Sequence, residues 1–188
     1  KFCPKCEHEY ETGTLCPNDQ TPLIDQTPRP DPLIGTTLGG KYVIEAKIAR
    51  GGMGSIYRGH IQKSGLVVAI KILHENLQEN VQDQRRFLRE AKSLGEVKHK
   101  NVVALIDSGQ TEEGRLYLVL EYLYGQTMAE LLKDEGRVPL EMIMSLMLQV
   151  LDGAEAAHQK GIVHRDLTPY NVIIARMSNN AEVVKLVD

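Results

Sequence analysis

Beyond Cys16 the sequence has no cysteine, and its three thiols all fall within the first sixteen of 188 residues. A disulfide framework for the bulk of the chain is thereby excluded. An odd count in C-x-x-C spacing, with no secretion signal ahead of it, points instead to metal in a reducing compartment. No apolar run approaches the roughly 18 residues of a membrane span. The expectation is a cytoplasmic protein, with a membrane anchor further downstream left open. Charge of one sign is also lacking: 22 Lys and Arg stand against 25 Asp and Glu, a formal net charge of −3. That balance gives no strong field for nucleic acid or acidic lipid. There are no internal repeats and no low-complexity tracts. What remains is the composition of a globular protein, long enough for one ordinary domain and an appendage.

The appendage is residues 1 to 24, K-F-C-P-K-C-E-H-E-Y-E-T-G-T-L-C-P-N-D-Q-T-P-L-I. Cys3 and Cys6 form one knuckle. Cys16 opens a second, C-P-N-D, whose closing position is Asp19. Two Cys-Pro turns aimed at one centre make a zinc ribbon, and with too few apolar residues for a core, metal would supply the folding energy. Cys3, Cys6 and Cys16 are the expected Zn²⁺ ligands. The fourth is Asp19, His8 or a water, with Asp19 favoured because it stands where a second C-x-x-C would close. The competing reading is a free thiol pair or an unstructured leader. Residues 25 to 37 then carry three prolines at alternate positions, Pro28, Pro30 and Pro32. Such a stretch propagates neither helix nor central strand, so it reads as a stiff linker.

From residue 38 onward the order of elements is informative. Strands are expected at Tyr42–Ala49 and Ile56–Ile61, joined by R-G-G-M-G-S, whose glycines let backbone N–H groups approach a phosphate. Leu66–Leu73, L-V-V-A-I-K-I-L, reads as a buried strand with one charge, Lys71. A lysine there is costly unless it is paired. A helix follows that carries Glu90 and whose inward stripe is Phe87, Ala91 and Leu94. Two apolar strands, Val102–Ile106 and Leu116–Glu121, flank a turn at Glu113-Gly114. Pro139–Gln159 is the clearest helix, with Ile143, Leu146, Met147, Val150, Leu151, Ala154 and Ala157 at a 3.6-residue period. Its methionines read as core filler, and Gly161 ends it. The chain then runs through I-V-H-R-D-L-T-P-Y-N, residues 162 to 171, to V-V-K-L-V-D, residues 183 to 188.

These segments together resemble the protein kinases. H-R-D-L-x-x-x-N is similar to the kinase catalytic loop, V-A-I-K to the strand that carries the phosphate-contacting lysine, and His99-Lys100-Asn101-Val102-Val103 to the segment H-P-N-I-V. The final Asp188 matches the aspartate of D-F-G. G-G-M-G-S-I-Y-R-G with H-R-D-L-x-P-x-N looks most like the bacterial eukaryotic-type serine/threonine kinases. Residues 1 to 24 resemble the small zinc ribbons found ahead of some of them.

The resemblance implies an α+β, protein-kinase-like fold. An antiparallel five-stranded N-lobe (38–121) and a hinge (121–125) would lead into the start of a helical C-lobe (126–188). It implies ATP and Mg²⁺ as cofactors and a protein with a Ser or Thr hydroxyl as partner. Asp166 would orient the hydroxyl nucleophile, and Asn171 and Asp188 would hold Mg²⁺. Lys71, paired to Glu90, would position the phosphates beneath the loop Arg50, Gly51, Gly52, Met53, Gly54 and Ser55. Glu121 and Leu123 would offer backbone groups to the adenine edge, past the gatekeeper Leu120. Beside them Ile48, Ile56, Ala69 and Ile173 would form an apolar slot.

Two positions depart from the family pattern: Ala49 replaces the first loop glycine, and Thr168 replaces a lysine that neutralises γ-phosphate charge. A threonine hydroxyl hydrogen-bonds without supplying charge, so a slower enzyme is expected. With Phe, Gly and an activation segment absent after Asp188, the sequence reads as the front portion of a longer kinase. The rival readings are a silent pseudokinase or interaction scaffold and, with little support from the charge pattern, a zinc-ribbon nucleic-acid binder.

Overall fold

The computed structural model describes residues 1–24, 31–177 and 181–188. It divides into two compact units, Lys1–Pro32 and Leu33–Asp188. Residues 25–30 of the expected linker lie outside the described residues. The second unit begins five residues earlier than the boundary expected at residue 38. The reason is local. Leu33 packs against the core of this unit, Gly35 N–H donates to the Ile44 carbonyl (2.8 Å), and Ile44 N–H donates to the Thr36 carbonyl (3.0 Å).

The small unit is built from two matching turns. Cys3 N–H donates to the His8 carbonyl (3.0 Å) and Glu7 N–H to the Cys3 carbonyl (2.9 Å). Thirteen residues on, Cys16 N–H donates to the Thr21 carbonyl (2.8 Å) and Gln20 N–H to the Cys16 carbonyl (2.8 Å). Both turns put their fifth residue, Glu7 and Gln20, at φ 58°. Isolated bridges Phe2–Glu9, Phe2–Ile24 and Leu15–Pro22 hold the strand-like flanks together.

The larger unit opens with strands β1 (Thr37–Leu38), β2 (Tyr42–Arg50), β3 (Gly54–Ile61) and β4 (Val67–Leu73). Helix α1 (Val81–Glu96) and strands β5 (Leu105–Gln110) and β6 (Leu116–Glu121) follow. The sheet order is β1-β2-β3-β4-β6-β5, every pair antiparallel. The expected five strands are thus present, and the two-residue β1 adds a sixth at one edge. Side chains alternate across the pleat. Val68, Ile70 and Ile72 of β4 join Tyr42, Ile44, Tyr57, Tyr117 and Val119 in one core. Ala69 and Lys71 point to the other face, opposite Leu120 and Leu118 of β6. On that side α1 closes a second core through Phe87 and Ala91 against Leu73, Leu116 and Leu118. Asn80 caps α1 by accepting the Gln82 N–H (2.9 Å).

The chain continues through β7 (Gly125–Thr127), α2 (Met128–Glu135), α3 (Leu140–His158), β8 (Val172–Arg176) and β9 (Glu182–Leu186), with sheet order β7-β8-β9. Thr127 and Glu130 form a capping box at α2. Leu146 and Val150 of α3 pack with Met128, Leu131, Val172, Ile174, Val184 and Leu186.

Two expectations are corrected here. The strand expected at Val102–Ile106 begins only at Leu105. Val102 and Val103 are buried because they are stitched to β9, with Val103 N–H on the Leu186 carbonyl (2.9 Å) and Leu186 N–H on the Asn101 carbonyl (2.9 Å). Along α3, Met147 and Leu151 lie 40% and 59% exposed, and Met144 is exposed too. The helix is apolar well beyond the stripe that its neighbours cover, so periodicity could not single out the buried face.

Candidate active site

Lys71 sits mid-strand in β4, paired across to Ile56 on β3 and Leu118 on β6. Its ammonium is buried and meets two carboxylates, Glu90 Oε1 of α1 at 2.8 Å and Asp188 Oδ1 at 2.6 Å. Burial alone would pull its pKa down, but Asp188 and Glu90 outweigh it and hold the group above the usual lysine range. Burial pushes the Glu90 carboxyl up, only partly offset by Lys71. One cation thus ties together a strand, a helix and the segment that follows β9.

The second cluster lies on the loop between α3 and β8. Gly161, at φ 70°, turns the chain out of α3, and Ile162 N–H closes the end on the Ala157 carbonyl (3.0 Å). Asn171 Nδ2 donates to Asp166 twice, to its backbone carbonyl (2.9 Å) and to Oδ2 (3.1 Å). This fixes the carboxylate of Asp166 against the amide. The tight turn Pro169–Asn171 has a sequence cause, since Pro169 presets its first φ. The loop is tied to the segment before Asp188, where Val187 N–H donates to the Asn171 carbonyl (3.1 Å) and His164 Nε2 lies 3.2 Å from the Val187 carbonyl. Arg165 and Asp188 both adopt positive φ, 64° and 63°, a conformation that costs free energy in non-glycine residues. Thr168 is half-buried and accepts the Asn171 N–H through its carbonyl (3.0 Å).

The β2–β3 hairpin closes with Gly51 N–H on the Gly54 carbonyl (2.8 Å). Arg50 pairs with Ser55 and Ala49 with Ile56, just past a register shift between Lys47 and Ala49. Ala49 has no positive φ, so its methyl is compatible with the backbone. A Cβ on Gly54 would collide with the Ile72 carbonyl of β4, whereas Gly52 faces open space. The glycine at 54 therefore serves packing on β4, and those at 51 and 52 leave the tip bare. Ser55 is buried in the sheet, Met53 packs beside the α1 core, and Ile56, Ala69, Leu123 and Ile173 are half-buried. Ile48 is about half exposed. Glu121 N–H is taken by the Ala104 carbonyl (3.0 Å).

Three residues to which motif reading gave no role hold this frame. Asn101 is fully buried, and its amide donates to Val184 O (2.8 Å) and Gln149 Oε1 (3.1 Å). Lys185, buried on β9, pairs with Glu121 Oε1 (2.6 Å), which also accepts the Ala104 N–H (2.8 Å). His74, just past β4, places Nε2 3.0 Å from the Gly51 carbonyl and donates its backbone N–H to the Met53 carbonyl (3.0 Å), gripping the Gly-rich tip. A lysine in an apolar strand was the available signal for Lys185, as it was for Lys71. His99 accepts the Asn101 N–H at Nδ1 (3.2 Å), a packing role.

In the small unit the ligand atoms of Cys3, Cys6, Cys16 and Asp19 all lie within 4.8 Å of one another. Cys6 and Cys16 sulfurs are 3.6 Å apart, and Cys3 Sγ is 3.7 Å from both Asp19 oxygens. A tetrahedral zinc with Zn–S near 2.3 Å sets S···S at about 3.8 Å, so the donor set fits that ion. The matched turns give the reason, since Asp19 occupies in the second turn the place of Cys6 in the first. Thr21 N–H donates to Asp19 Oδ1 (2.9 Å) and holds that carboxyl below its usual range. Burial pushes the Cys3 thiol up, while a hydrogen bond from Tyr10 helps push Cys6 down to about 6. His8 points its Nδ1 to the Cys6 carbonyl (2.7 Å) and stands outside the cluster.

Residues 42–188 match the family model for the protein kinase domain. The chain is 34% identical over 163 residues to the serine/threonine-protein kinase pkn3 of Myxococcus xanthus, covering 87% of this chain and 30% of that protein. It is 36% identical over 146 residues to PknL of Mycobacterium tuberculosis, covering 77% of this chain and 36% of that one. The chain therefore spans about a third of the length of these curated relatives. The crystal structure of the Mycobacterium tuberculosis PknI kinase domain superposes with a TM-score of 0.69 at 24% identity, covering 82% of this chain and 61% of that one. That likeness is one of fold.

Proposed function

The chain belongs to the protein kinase domain family, and we propose that it forms the nucleotide- and metal-binding part of a serine/threonine kinase that transfers the ATP γ-phosphoryl group to a protein hydroxyl. The observation that carries this reading is Lys71 bridging Glu90 and Asp188, because a scaffold has no need to bury one cation between two carboxylates from distant segments. Lys71 would contact the α- and β-phosphates while Glu90 holds it in place. Asp166, oriented by Asn171, would accept a hydrogen bond from the substrate hydroxyl and then its proton. Mg²⁺, held by Asn171 and Asp188, would neutralise phosphate charge. The exposed tip at Gly51 and Gly52 would cover the phosphates, and the slot of Ile48, Ile56, Ala69 and Ile173 would take the base beside the Glu121 carbonyl and Leu123. No helix among the described residues is long and apolar enough to cross a membrane. The four-ligand cluster of the small unit would hold a structural Zn²⁺.

Phosphotransfer from labelled ATP to a generic Ser/Thr protein substrate, by the longer natural protein, tests this reading. Lys71→Met is expected to lower turnover by at least about a hundredfold, and Thr168→Lys to raise it. Equal activity of the parent and Lys71→Met proteins would overturn the assignment.

A further inference from the structure

Tyr10 stands outside the four ligands, yet its hydroxyl is aimed into them. Its oxygen lies 3.3 Å from Cys16 Sγ and 3.5 Å from Cys6 Sγ, and those sulfurs are 3.6 Å apart. The oxygen therefore faces one edge of the ligand tetrahedron, nearly equidistant from both sulfurs. On its other side Asn18 Nδ2 donates to it at 3.1 Å. A phenol has one proton to give. With Asn18 supplying a hydrogen bond to the oxygen, that proton is left for the sulfurs, which as thiolates can only accept.

We infer that Tyr10 is the outer-shell donor of a Cys₃Asp metal site, sharing its hydroxyl proton between the Cys6 and Cys16 thiolates and oriented by Asn18. The inference rests on the metal reading above and adds a residue that ligand spacing does not reveal. Its physical reason is charge. Three thiolates and a carboxylate around a divalent ion leave a net charge of −2, concentrated on sulfur. A hydroxyl hydrogen bond draws density off two of the three sulfurs and makes them weaker nucleophiles toward outside reagents. Thr21 N–H does the corresponding work on Asp19 Oδ1. The site is thus buttressed on both knuckles, by a side chain on one edge and by the backbone at the carboxylate.

The test uses the 188-residue chain loaded with Zn²⁺ or Co²⁺. Wild type and Tyr10→Phe are both expected to hold one equivalent of metal, because phenylalanine keeps the ring packing. In the cobalt form, Tyr10→Phe should move the sulfur-to-metal charge-transfer bands to lower energy. In the zinc form, it should release metal to a chromogenic chelator several-fold faster when iodoacetamide alkylates the thiolates. Asn18→Ala, which frees the hydroxyl to rotate, should show both effects at reduced size and supplies the readout should Tyr10→Phe fail to fold. Metal-loaded variants with unchanged bands and release rates would overturn the role of Tyr10 and leave the metal reading intact. A wild-type chain that takes up neither ion would overturn both.

Discussion

Lys71 and Lys185 place two ammonium groups beneath the surface, and each is met by a carboxylate within 2.8 Å. An unpaired buried charge would cost several kcal/mol, so each lysine depends on a partner far away in sequence. A gentler polar link joins Tyr42 on β2 to Asp107 on β5, with the hydroxyl donating to Oδ2 at 2.6 Å. That hydrogen bond, with Lys41 nearby at 3.6 Å, holds the Asp107 carboxyl below its usual range. A carboxyl depressed on folding stabilises the protein above its unfolded pKa of about 3.9 and loses that contribution as pH falls through the folded value. Tyr42→Phe should therefore cost about 1 kcal/mol near neutrality, with solvent exposure of Asp107 keeping it at the low end. The deficit should shrink as pH falls below about 3.9 and through the lower value that Asp107 holds in the folded protein. Urea midpoints measured from pH 7 down into the acid range test this, and a deficit that stays constant throughout would show that the charged hydrogen bond is not its source. Lys71 was legible in the sequence because a charge inside V-A-I-K-I-L is conspicuous, and Glu90 because the kinase resemblance supplies its partner. The Lys185–Glu121 pair and Asn101 were not, since their partners come together only when β9 is laid beside the 97–104 segment.

The elements themselves were mostly legible where one face is wet, and less so where both are dry. The Gly-rich turn marked the β2–β3 hairpin, the apolar run marked β4, and the stripe at Phe87 marked α1, whose cap at Asn80 came only with the structure. Val102 and Val103 misled because burial by loop stitching to Leu186 looks, in composition, like strand burial. In α3 the informative residue is Gly153, which reads in sequence as a mild defect in a good helix. In the structure a Cβ there would lie 2.8 Å from the Asn101 carbonyl and 3.0 Å from Leu186 Cδ1. The helix passes this close because Asn101 must reach Val184 and Gln149 at once. Gly153→Ala improves intrinsic helix propensity by about 1 kcal/mol, but the backbone carbonyl cannot retreat without breaking the Asn101–Leu186 hydrogen bond. A net destabilisation of about 1–3 kcal/mol is expected. A thermal melt of the variant decides it, and a rise in melting temperature would mean that α3 shifts away freely.

At the scale of the whole molecule the conspicuous feature is surface that stays apolar. Leu140, Met144, Leu148 and Leu151 run along α3 at four- and three-residue steps and are 56–73% exposed, flanked by Met147 at 40%. Their side chains share one helical face, so they form a contiguous patch and not scattered single residues. Patches of this kind on a soluble unit drive association. The PknI kinase domain, of which this chain covers 61%, shows that a chain of this fold can extend well beyond the part matched here. The 188-residue chain is therefore expected to self-associate with rising concentration and to bind a hydrophobic dye. Met144→Glu with Leu148→Lys places an acid four residues before a base, a pair that supports the helix by about 0.2–0.5 kcal/mol while interrupting the patch. Sedimentation velocity and dye fluorescence should both fall toward those of a monomer in the double variant, with the melting temperature unchanged. Self-association that persists undiminished in the double variant would place the sticky surface elsewhere, and a lowered melting temperature would show that these side chains stabilise the fold as well as face solvent.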